Sequence, residues 1–128
     1  MRPMVKTRSF ALLLAASLLA APALAHEPRT GPRGGALVDA GNYHVEVVTQ
    51  DKIINVFVSD LADKPLLATG FKALAIVALD GKAARVPLEA AGDASRLTGT
   101  AEVPLPKRIK GAVQLTAPDG KTATATFK

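Results

Sequence analysis

The chain has 128 residues, with 16 Lys and Arg against 11 Asp and Glu and no cysteine. Without cysteine there is no disulfide staple, no thiolate metal site and no thiol nucleophile, so stability must come from a packed core. Three of the cations, Arg2, Lys6 and Arg8, sit at the extreme N-terminus. Beyond them charge nearly balances and the aromatics reduce to Tyr43, Phe57, Phe71 and Phe127, which sets a nucleic-acid binder aside.

Residues 1–25 read as a cleavable signal peptide. The positive n-region is followed by an apolar run from Phe10 to Ala21, Pro22 breaks it, and Ala23-Leu24-Ala25 offers the small residues a signal peptidase inspects. The run is too short for a bilayer core, which needs roughly 20 helical residues. The expected product is an exported chain beginning at His26. A domain of that size buries about 60 to 65% of its unfolded surface, enough for one compact unit and too little for two.

Residues 26–35 hold two prolines and three glycines and are expected to form an extended, mobile arm. Residues 36–128 are expected to fold as one domain of short apolar segments broken by turns at intervals of roughly ten, the pattern of an antiparallel all-β fold. Tyr43 to Thr49 alternates, with Tyr43, Val45 and Val47 on one face and His44, Glu46 and Val48 on the other. A turn around Gln50-Asp51-Lys52 leads into Ile53 to Ser59, completing a hairpin. Asp60 to Gly70 reads as a crossing loop. Phe71 to Leu79 is almost wholly apolar, which suits a strand buried in the sandwich, and Asp80-Gly81 returns the chain as Lys82 to Glu89. Leu97 to Val103, Val113 to Thr116 and the threonine-lined stretch ending at Phe127 complete seven strands, with Asp119-Gly120 as a second tight turn. Seven short strands in about a hundred residues match a small antiparallel β-sandwich of immunoglobulin-like type, without its Cys and Trp landmarks.

Catalysis has little to work with. Ser59, His44 and Asp60 supply the residue types of a triad, but no nucleophile-elbow motif accompanies them, and the chain is read as a non-enzyme. Metal binding has a firmer basis. His44 and Glu46 stand at i and i+2 on a strand, so imidazole and carboxylate share a face and could converge on Zn(II) or Cu(II). A third ligand would come from His26, Glu27 or Asp39. Cleavage after Ala25 would give His26 a free amine beside its imidazole, a pair that chelates one ion. The competing reading makes these residues ordinary surface polar groups. The run Lys107-Arg108-Ile109-Lys110 reads as a solvated loop.

Pro32-Arg33-Gly34-Gly35, Asp39-Ala40-Gly41, Tyr43-His44-Val45-Glu46-Val47-Val48, Asp63-Lys64-Pro65 and Gly70 together resemble a known exported module. It is the small periplasmic β-sandwich akin to the N-terminal domains of periplasmic adaptor subunits of heavy-metal efflux pumps. The resemblance runs loosely from Gly31 to the C-terminus and is most specific from Gly34 to Val48. It implies a periplasmic location and a role in metal handling or efflux, with His44 and Glu46 at matching positions. Where many members have His-Gly-Gly, this chain has Arg33-Gly34-Gly35, so a cation replaces a ligand. Either His26 has taken over that duty or the chain no longer binds metal. The expectation is therefore a periplasmic binding protein with a site at His26, His44 and Glu46. The alternative is an interaction module that docks on an envelope complex by a sheet face or an edge strand.

Overall fold

A computed structural model describes residues 29–128, which form nine strands and no helix. They are β1 (Arg29–Thr30), β2 (Ala36–Ala40), β3 (Tyr43–Gln50), β4 (Ile53–Asp60), β5 (Lys72–Leu79), β6 (Lys82–Ala90), β7 (Leu97–Thr100), β8 (Gly111–Thr116) and β9 (Thr122–Phe127). The expected signal peptide, and His26 and Glu27 with it, lie outside the described residues.

The strands join in one antiparallel sheet in the order β1-β2-β3-β4-β7-β6-β5-β8-β9. Turn chemistry sets the hairpins. Asp80 and Gly81 both take positive φ, 48° and 78°, which is the type I′ geometry that matches the twist of the flanking strands. Gly41 likewise turns β2 into β3 at φ 57°. At the last hairpin Gly120 takes φ 85° while the Asp119 carboxylate accepts the Lys121 N–H.

The sheet curls into half a barrel. β6 is the corner: its first part pairs with β5, whereas Glu89 and Ala90 pair with Thr98 and Leu97 of β7. Gly99 makes the corner possible, because a Cβ there would lie 2.4 Å from the Pro87 carbonyl oxygen. The curl also brings β2 alongside β9, with Gly41 packed on Ala123.

Inward-facing side chains fill the concave side. Val45, Val47, Ile54, Val56, Ala75, Val77, Leu88, Leu97, Val113, Leu115 and Ala125 form the centre of one continuous core. Tyr43 meets Phe71 edge to face, with ring centroids 5.4 Å apart, a favoured aromatic geometry. The alternation read in Tyr43 to Thr49 thus holds, with Val45 and Val47 in the core.

Three details differ from the sequence reading. The described residues form nine strands rather than seven, because residues 29–30 and 36–40 pair as β1 and β2. The described part of the expected arm, residues 29–35, is a short strand and a turn closed by Gly31 N–H to Gly35 O and Gly34 N–H to Gly31 O. The strand expected over Leu97 to Val103 ends at Thr100, since the next amides turn away: Ala101 and Leu105 donate to Lys52 and Asp51 carbonyls in the β3–β4 turn.

Candidate functional site

Both faces of β3 are covered. Val45 and Val47 enter the core, and on the other face His44 is 8% and Glu46 1% exposed. Cross-strand register builds that outer face in two rows: Leu37, Glu46 and Phe57 in one, Asp39, His44 and Ser59 in the next.

Glu46 is the better buried of the two. Its Oε2 accepts the backbone N–H groups of Arg33 and Gly35, both at 2.9 Å, and its Oε1 accepts Arg33 Nη1 at 3.3 Å. The Arg33 guanidinium in turn lies 3.9 Å from the centroid of the Phe57 ring, within cation–π range. A carboxylate taken out of water is tolerable only when paired and hydrogen-bonded, and these three donors meet that need. The N-terminal turn supplies all of them. Its glycines permit the approach: a Cβ on Gly31 would sit 2.3 Å from Glu46 Cδ, and one on Gly35 would sit 2.2 Å from the Val47 carbonyl oxygen.

His44 is held differently. Its Nδ1 lies 2.7 Å from Asp63 Oδ1 and its Nε2 lies 3.2 Å from Asp39 Oδ1. An imidazolium donates to both at once, whereas a neutral ring can donate to only one. Asp63 reaches the ring from the loop after β4, where it adopts φ 63°. That loop is tied by Asp60, whose Oδ1 accepts the N–H groups of Ala62 and Lys64. Asp39 also accepts Arg29 Nη2 at 3.0 Å.

Between the two networks lies a cleft of about 610 Å³. Pro32 and Arg33 line one side, Asp63 and Pro65 another, and Leu37 and Phe57 contribute apolar surface.

The structure therefore places His44 and Glu46 on one face, as the i, i+2 spacing predicts, but gives each a separate set of partners. Both Glu46 oxygens are engaged by Arg33 and Gly35, and both His44 nitrogens by aspartates that approach from opposite sides. Among the described residues no three His, Asp or Glu side chains are grouped to hold one ion. Of the triad residues, Ser59 stands opposite His44 across β3 and β4, but Asp60 caps its own loop and the carboxylates on His44 are those of Asp39 and Asp63. Sequence reasoning missed Arg33 as a partner of Glu46, and Asp63 as a partner of His44. The Arg-Gly-Gly and Asp-Lys-Pro signals marked both segments without indicating where they fold.

Comparison with protein-family models, curated proteins and solved structures gave no match.

Proposed function

We propose that the chain is an exported, non-enzymatic binding module of the periplasm that docks on a partner in the cell envelope. In this reading His44 and Glu46 are internal clamps. The observation that carries it is the prior engagement of both Glu46 oxygens by Arg33 and Gly35 of the same chain. A metal at Glu46 would have to compete with the three donors that its oxygens already accept, whereas a neutral imidazole that donates to one aspartate keeps a lone pair on its other nitrogen, so Glu46 rather than His44 carries the reading. The departure from the efflux-adaptor pattern supports the same view: Arg33 stands where that family often has histidine, and its guanidinium lies on Glu46. The proposal also takes the curled sheet as a small sandwich whose two layers meet at β6, where that strand leaves β5 for β7.

One contact favours a second reading, in which Zn(II) or Cu(II) is held by His26, His44 and Asp39. Arg29, three residues after His26, is anchored on Asp39, whose Oδ1 lies 3.2 Å from His44 Nε2. Three residues span up to about 10 Å, enough to return an N-terminal amine and imidazole to that edge. Glu46 would join only by releasing the N-terminal turn.

Isothermal titration of Zn(II) and Cu(II) into the chain beginning at His26 separates the two. The docking reading expects no tight one-to-one binding. Tight binding that disappears in His44→Ala and on adding one residue before His26 would establish the metal reading instead.

A further inference from the structure

β5 is apolar at every position after Lys72, yet only one of its faces enters the core, the other leaving Leu74 and Ile76 half-buried and Ala78 exposed. Ala73, Ala75 and Val77 are buried in the core, while Leu74, Ile76 and Ala78 point the other way and take no part in that cluster. The neighbouring strands extend this outer stripe. Leu74 stands between Pro87 of β6 and Gln114 of β8, Ile76 between Arg85 and Ala112, and Ala78 opposite Ala83. An antiparallel sheet with one face in water ordinarily puts polar side chains on that face. β9 does so, with Thr122, Thr124 and Thr126 all exposed. A strand that is apolar on both faces, with Leu74 and Ile76 of the outer face only half-buried among the described residues, leaves an apolar stripe that a partner can cover.

The charges directly beside Leu74 and Ile76 are cations, with the carboxylates Asp80 and Glu89 only at the two ends of the stripe. Lys72 lies on the same face as Ile76, about 13 Å along the strand, and Arg85 stands directly beside Ile76. Both are exposed, and neither is ion-paired among the described residues. The nearest carboxylate on β6, Glu89, lies past the corner where that strand has joined β7.

We infer that the outer face of β5, β6 and β8 docks a protein segment whose apolar side chains are flanked by carboxylates. The inference deepens the docking reading above and rests on it. Leu74, Ile76 and Pro87 give apolar contact, and the two cations select acidic flanks and make association salt-sensitive. The same cations oppose a second copy of this face, which would bring like charges together.

The test uses ¹⁵N-labelled protein beginning at His26 and two synthetic amphipathic helical peptides of about 18 residues. The peptides share a leucine stripe and differ only in Glu or Lys flanks; phosphatidylglycerol vesicles form a third arm. The Glu-flanked peptide is expected to shift amide signals only in residues 72–78, 83–87 and 112–116. Ile76→Thr should weaken its binding at least about tenfold while leaving the unfolding temperature nearly unchanged, because Ile76 is outside the core. Arg85→Glu should shift preference toward the Lys-flanked peptide. Equal binding of both peptides, shifts centred on other residues, capture by vesicles alone, self-association in sedimentation, or no binding of either peptide would each overturn the assignment. The clamp roles of His44 and Glu46 are read independently by metal titration, so failure here and failure there are distinguishable.

Discussion

Gly31 is seated directly on the carboxylate of Glu46: a Cβ on Gly31 would come within 2.3 Å of Glu46 Cδ, closer than real Cβ contacts allow. Gly31→Ala must therefore lift the N-terminal turn away from Glu46 or push the carboxylate out of its donors. The expected cost is about 1–3 kcal/mol, read as a shifted midpoint in urea unfolding. Glu46→Ala should cost about 2–4 kcal/mol, because it strands two backbone N–H groups and half-exposed Arg33.

His44→Ala tests the second clamp. The Asp63 side chain is 77% exposed, so solvent screens the pair and the expected loss is only about 1 kcal/mol. The more telling effect is local. Loop amides near Asp63 should exchange faster with solvent, while the core amides of Val56 and Val77 slow as before.

Gly111→Ala should be the most damaging single methyl in the sheet. Gly111 opens β8 at φ 140°, and a Cβ there would lie 1.9 Å from the Ile76 carbonyl oxygen. Backbone cannot yield as a side-chain tip can, so a loss of about 3 kcal/mol or more is expected in thermal or urea unfolding.

Acid titration should find one carboxyl of the β6–β7 turn displaced. The Ser95 backbone N–H, then the Ser95 hydroxyl and Arg96, hold the Asp93 carboxyl below its usual value. A depressed native value means stability that is present above the ordinary carboxylate range and is lost as pH falls through the lowered one. NMR titration should give Asp93 a midpoint under that of an unstructured aspartate. Ser95→Ala should raise it only partway, because the backbone N–H, the largest contributor, remains.

The hairpins were legible because their signals are local. Asp80-Gly81 and Asp119-Gly120 carry their turn chemistry in two adjacent residues, and Tyr43 to Thr49 declares its buried face by alternation alone. β1 and β2 were not legible as strands in the same way. A stretch rich in proline and glycine looks like a free arm until Glu46, thirteen residues beyond Arg33 and eleven beyond Gly35, supplies the acceptor that folds it down. For the same reason the sequence suggests an exposed ligand pair at His44 and Glu46. A charged residue in an alternating strand implies a solvated face, and nothing in the local pattern reveals that Arg33 and Asp63 return to cover it. The apolar run in β5 reads as a strand buried in a sandwich, and only the topology shows that Leu74 and Ile76 stay half-buried outside the core.

The most direct measurement is hydrogen exchange at the Arg33 and Gly35 amides, in the chain beginning at His26, with and without one equivalent of Zn(II). If Glu46 is a clamp, both amides are protected by about two orders of magnitude over an unstructured chain, and Zn(II) leaves that protection unchanged. Amides that exchange freely, or that lose protection when Zn(II) is added, would mean that the Glu46 carboxylate is available to a metal and would contradict the account.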